Sequence, residues 1–139
     1  MKKQNLQSIL VLSLLLVAGS AFAQTINVRS DVPFSFKVSG KSMPAGQYSI
    51  KTMTADGATL VLKGSEPHTV ALISSNSAQK VDKSDSTKLV FHVYGSEYFL
   101  SEIWVEGSNA GHQIPVSSRE RELAKGNTAV DVNVLAQLQ

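Results

Sequence analysis

A chain of 139 residues with 13 basic and 11 acidic residues, three histidines and no cysteine has the length of one domain, and it excludes a disulfide framework or a cysteine-ligated metal site. The small net charge comes without any basic block. That excludes the electrostatic footprint required by nucleic acid or an anionic membrane surface.

The first 23 residues have the three parts of an export signal: Lys2 and Lys3, the mainly apolar stretch from Ile9 to Val17, and the small-residue site Ala21-Phe22-Ala23. The stretch is well short of the roughly 20 residues that span a bilayer, so cleavage before Gln24 is expected, with no membrane span. Removing 23 of the 139 residues leaves 116, and losing Lys2 and Lys3 brings the 13 basic residues to 11, level with the 11 acidic ones. The expected product, residues 24–139, is a single unanchored domain of about zero net charge, periplasmic or extracellular.

Beyond Gln24 the dominant period is two. Val32, Phe34, Phe36 and Val38 alternate with Ser35 and Lys37, as in a half-buried strand that lies at a sheet edge or has Pro33 at an unpaired position. Met43-Pro44-Ala45-Gly46 is a turn, from which Tyr48 to Thr54 returns to complete a hairpin. At Asp56-Gly57 a three-residue loop with Gly57 left-handed pairs Ile50 with Leu62 and Thr52 with Leu60, keeping the apolar face together. His68 to Ser74 is apolar on both faces and predicts a central or sandwiched strand. Residues 75–87 are polar and read as a loop.

The strongest pattern is Lys88 to Tyr94, Gly95-Ser96, then Glu97 to Val105. A two-residue turn beginning at Gly95 pairs His92 with Phe99 and Phe91 with Leu100. Leu89, Phe91, Val93, Tyr98, Leu100 and Trp104 then share one face, and Val90, His92, Tyr94, Phe99 and Ile103 the other. Residues 107–111 read as a loop. Ser117 and Glu120 are spaced as a capping box for a short helix ending at Gly126 and docked through Leu123 and Ala124. Val130, Val132 and Val134 form a closing strand. The fold class is all-β, an antiparallel sandwich or, alternatively, a small barrel.

Three ordered blocks carry a resemblance: Val32 to Lys41 with Pro44-Ala-Gly-Gln-Tyr48, Lys88 to Gly95 with Tyr98-Phe-Leu100 and Trp104, and Arg119-Glu-Arg-Glu-Leu-Ala124. Together they resemble a family of small exported bacterial proteins of unassigned function. The resemblance covers nearly all of the mature chain and implies no catalytic or binding residue. Pro44-Ala-Gly-Gln-Tyr48 is also similar to a hairpin of transthyretin-like β-sandwich modules.

Catalytic signatures are missing. His68, His92 and His112 lie at spacings that place no two on one face, so no metal site and no cofactor are expected. There is no Gly-x-Ser-x-Gly elbow and no recognisable order of serine, histidine and acid, and Glu97, Glu102 and Glu106 read as exposed strand carboxylates. The expectation is a non-catalytic exported interaction or structural module, with an envelope or extracellular protein or polymer as partner. A barrel carrying a small apolar ligand is the alternative, and a hydrolytic or metal-dependent enzyme a third reading. The candidate interaction surface is Tyr94, near a hairpin tip, with Arg119 and Arg121 on the helix and Phe34 and Lys37 on the expected edge strand, whose unpaired backbone groups could receive another chain. The pattern sets Arg119 against Glu122 as an internal ion pair.

Overall fold

The computed structural model describes residues 25–139. The export signal expected over 1–23 lies outside them. Within the described residues the chain is all-β, as its periodicity predicts, apart from one short helix, α1 (Ser118–Ala124). The strands are β1 (Asn27–Val32), β2 (Phe36–Val38), β3 (Lys41–Met43), β4 (Gly46–Thr52), β5 (Thr59–Gly64), β6 (Val70–Ser74), β7 (Asn76–Gln79), β8 (Lys88–Tyr94), β9 (Glu97–Trp104), β10 (Ala110–Gln113) and β11 (Val130–Leu138).

Two sheets face each other, β6-β5-β4-β1 and β7-β10-β9-β8. β11 joins them, pairing Val130 to Leu135 with β8 and Ala136 to Leu138 with β1. On the other side the chain steps from β6 to β7 through Ser75, so the sandwich is nearly closed as a barrel. The β2–β3 hairpin attaches to β9 by a parallel contact at Lys37 and Phe99. The hydrogen-bonded path begins at β3 and ends at β6. Lys41 bridges this open seam, its Nζ donating to the Val70 carbonyl at 3.0 Å.

The inner faces make one core. Val28, Tyr48, Ile50, Leu60, Leu62 and Ile73 meet Phe36, Met43, Leu89, Phe91, Leu100 and Ile103. Phe91 is fully enclosed, with Phe34 and Phe36 edge-on at 4.9 and 5.3 Å. Phe34 also stacks on Tyr98 at 4.0 Å. Buried side chains from both sheets thus occupy the space between them.

The central hairpin keeps its predicted register from Tyr94–Glu97 to Phe91–Leu100, and Gly95 has the expected positive φ of 61°. Then Val90 pairs with Glu102, leaving Ser101 as the extra residue of a β-bulge. One inserted residue reverses the faces beyond it, which corrects the predicted placement. Ile103 points into the core, while Trp104 lies on the outside of the second sheet. There Trp104 is buried against Gly111 and covered by Lys80, whose Nζ sits 3.9 Å from the ring centroid. A Cβ on Gly111 would stand 2.6 Å from the Trp104 ring, so only glycine fits at that position.

Several other expectations are corrected. Val32 to Val38 is not one edge strand: the chain leaves β1 at Val32 and re-enters as β2 at Phe36, and Pro33 takes the unpaired position of the two expected alternatives, since it supplies no amide to continue the ladder. Neither half is an edge, since β1 lies between β11 and β4, and β2 between β3 and β9. β4 therefore pairs with β1, and the β2–β3 hairpin is an excursion between them, closed by Ser39 and Gly40 at positive φ. The register Ile50–Leu62 and Thr52–Leu60 is as predicted, with Gly57 at φ 72°. β6 is an edge rather than central: Ala71 and Ile73 are buried, while Val70 and Leu72 are exposed. Asn76 to Gln79, expected as loop, pairs with β10, also unforeseen, through backbone groups that its polar side chains do not reveal. Ser117 caps α1 by accepting from the Glu120 amide at 3.2 Å, but the helix buries Glu120 rather than Leu123 or Ala124.

Candidate functional site

The phase of the β5–β6 ladder determines what the β6 edge offers. The Gly64 amide donates to the Thr69 carbonyl at 2.7 Å and the Ser75 amide to the Ala58 carbonyl at 2.8 Å. Alternation between these two points turns the backbone groups of Ala71 and Ile73 toward β5. Those of Val70, Leu72 and Ser74 therefore point away from the sheet. Lys41 takes the Val70 carbonyl, and among the described residues no strand pairs with this side of Leu72 or Ser74. The strand contains no proline and no charge, and Leu72 is 61% exposed. Such an edge is a template for another chain.

Ser74 also lies on the wall of a groove of about 700 Å³, a volume within the roughly 300–1,000 Å³ of ligand sites. The β2–β3 hairpin forms one side through Lys37 and Ser42. Phe99 and Leu100 contribute from β9, and the segment from Ile114 to Glu120 closes the remaining side. The groove mixes apolar surface with serine hydroxyls and two cations, Lys37 and Arg119.

Two side-chain networks fix its walls. In the first, the Glu120 carboxylate, buried at 4% exposure, accepts from His92 Nδ1 at 2.6 Å and from the Tyr94 hydroxyl at 3.3 Å. His92 Nε2 meets the Ser101 hydroxyl at 3.1 Å. The bulge turns Ser101 onto the His92 face, and the Ser101 carbonyl accepts from the Ile114 amide at 2.7 Å. Hydroxyl, imidazole and carboxylate thus stand in the order of a hydrolase relay. No signal in the chain order His92, Ser101, Glu120 discloses this arrangement. The Ser101 residue is only 4% exposed, and neither Ser101 nor His92 lines the groove. The network anchors α1 on the outer face of the second sheet and satisfies a carboxylate that would be costly to bury alone.

The second network is open to solvent. Glu97, at the start of β9, accepts from Arg119 Nε at 3.2 Å and Nη2 at 2.9 Å, and from Lys37 Nζ at 2.8 Å. It ties the helix to the β2–β3 hairpin and takes the direct contact of Arg119, while the predicted Arg119–Glu122 pairing persists as a charge attraction. Hydrogen bonds from Arg119, then Lys37, hold the Glu97 carboxyl well below its usual 4.5, down to about 2. A depressed carboxyl pKa favours the fold above the unfolded value, and the benefit is lost as pH falls toward the folded one. Stability is therefore expected to decline between pH 4.5 and about 2, and Glu97→Gln should flatten that part of the curve. Urea midpoints measured across the window will check this.

The five predicted surface residues have separate fates. Tyr94 is buried, edge-on to Phe99 at 5.9 Å, and burial, then the nearby Glu120 charge, push its phenol pKa up. It offers no exposed platform. Phe34 is half-buried in the aromatic cluster and so belongs to the core. Lys37 and Arg119 are brought together at the groove, while Arg121 is exposed on α1. Sequence reading predicts the strand at β6 but not that its edge and Ser74 belong to the candidate site, although the uncharged, proline-free composition of Val70 to Ser74 is visible in the chain.

The histidines do not converge: His68 is exposed at φ 69°, and His112 is buried with Nδ1 3.0 Å from the Ser75 hydroxyl. Among the described residues no three metal-capable side chains gather, and no helix is long and apolar enough to cross a membrane. Compared with known proteins, the chain matches no family model, no curated protein and no solved structure.

Proposed function

We propose that the mature domain is a non-catalytic exported module that binds another envelope or extracellular protein through its surface. The observation that carries this reading is the outer edge of β6, which no strand pairs among the described residues, with the Leu72 and Ser74 backbone groups directed away from β5 beside an open groove. Export is supported by the basic, apolar and small-residue pattern of residues 1–23 and by the resemblance to small exported bacterial proteins. Binding by the edge is preferred to carriage of an apolar ligand because Phe34, Phe36 and Phe91 fill the interior where a carrier would keep a cavity. It is preferred to hydrolysis because the Ser101 hydroxyl is buried.

Native mass spectrometry of the protein purified from its own host tests the reading. A polypeptide adduct is expected, retained by Ser101→Ala and lost in Leu72→Pro. A stoichiometric metal, a retained apolar small molecule, or labelling by a serine-reactive phosphonate that Ser101→Ala abolishes would contradict it.

A further inference from the structure

We infer that the seam between β6 and β3 receives an extended polypeptide segment, added antiparallel to β6 as a new strand, with a carboxylate-bearing residue near its N-terminus seated in the groove. The inference rests on the surface-binding reading above and names the chemistry of the occupant.

Three observations converge on it. The backbone groups of Leu72 and Ser74 point out of the sheet in the spacing that an antiparallel strand uses, so each can exchange a pair of hydrogen bonds with an incoming residue. β6 runs toward the groove, ending at Ser74 on its wall, so an antiparallel partner enters with its N-terminal end at Lys37 and Arg119. These two cations share the carboxylate of Glu97, and Glu120 also lines the groove, so the local charges balance, but the ammonium and guanidinium keep N–H donors not bound to Glu97 that a carboxylate of the occupant can take. Lys41 is the guard of this edge. Its ammonium holds the Val70 carbonyl, a common device against unwanted strand pairing, and it must swing away for the added strand to extend past Leu72.

Leu72→Pro is a suitable probe, because the Leu72 amide faces away from β5 and its loss removes no bond of the sheet. The ligand to use is the capped peptide acetyl-Asp-Thr-Val-Thr-Val-Thr-amide, labelled at its C-terminal end and followed by fluorescence anisotropy. Binding to the wild type is expected, weakened about tenfold or more by Leu72→Pro through the loss of one or two hydrogen bonds. Lys41→Met should tighten it. A peptide with lysine in place of aspartate should bind several-fold more weakly, with the difference shrinking in high salt. Methylating alternate peptide amides should abolish binding to the wild type, a control that does not depend on a variant folding.

Absence of binding, equal binding by Leu72→Pro, indifference to peptide methylation, or preference for the lysine peptide would overturn the inference. So would sedimentation showing a dimer that Leu72→Pro dissolves, since the occupant would then be a second copy of this chain. If the peptide fails while the polypeptide adduct from the host still depends on Leu72, only this occupant falls and the surface-binding reading stands.

Discussion

Phe91→Ala is expected to lower the folding free energy by about 3 to 5 kcal/mol, the range for removing a buried aromatic ring and leaving a cavity. Phe91 is fully buried on β8, between β9 and β11. It packs edge-on against both Phe34 and Phe36, while Phe36 packs edge-on against Tyr48 across the core. These neighbours come from strands and connections that are themselves held in ladders, so the site has little freedom to collapse around the missing ring. The loss should appear as a melting temperature lowered by more than about 10 °C. A shift of one or two degrees would mean that Phe91 does not face the core, and hence that the register of the central hairpin is wrong.

His92→Leu should cost about 3 kcal/mol, the low end for breaking a buried hydrogen-bonded pair, because the His92 side chain keeps 26% of its exposure while Glu120 keeps 5%. The substitution leaves the Glu120 carboxylate with the Tyr94 hydroxyl alone and leaves Ser101 without its acceptor. Replacing both residues, His92→Leu with Glu120→Leu, removes the stranded charge and should recover much of the loss. Urea unfolding of the four proteins in the cycle measures the coupling. Simple additivity would show that α1 is not anchored through this pair.

The contrast between these sites explains what could be read in the chain. Where one face of a strand is buried, alternation is legible: Ile50 and Leu62 could be paired because any slip would expose them, and the Gly95 turn fixed His92 opposite Phe99. β1 escaped notice because its inward positions, Val28, Ser30 and Val32, include a serine that donates to the Leu135 carbonyl at 2.8 Å. The Ser101 bulge was illegible because a single extra residue has no compositional mark, yet it decides that Ile103 rather than Trp104 enters the core. Glu120 looked like half of a capping box, and only the docking of α1 onto β8 shows that its carboxylate turns to His92. β6 appeared central because Val70 and Leu72 are apolar. That they face solvent depends on the outer face of the first sheet being left uncovered at these positions, and that β6 is an edge depends on where the sheet stops, both properties of the whole topology.

Amide hydrogen exchange along β6 tests the central claim most directly. In the free mature protein the Ala71 and Ile73 amides should be protected and the Leu72 amide should exchange rapidly, because only the first two face β5. Adding the acidic extended peptide should slow Leu72 selectively. A Leu72 amide as protected as its neighbours before any ligand is added, or one unchanged by saturating peptide, would contradict an account in which this edge is the binding surface.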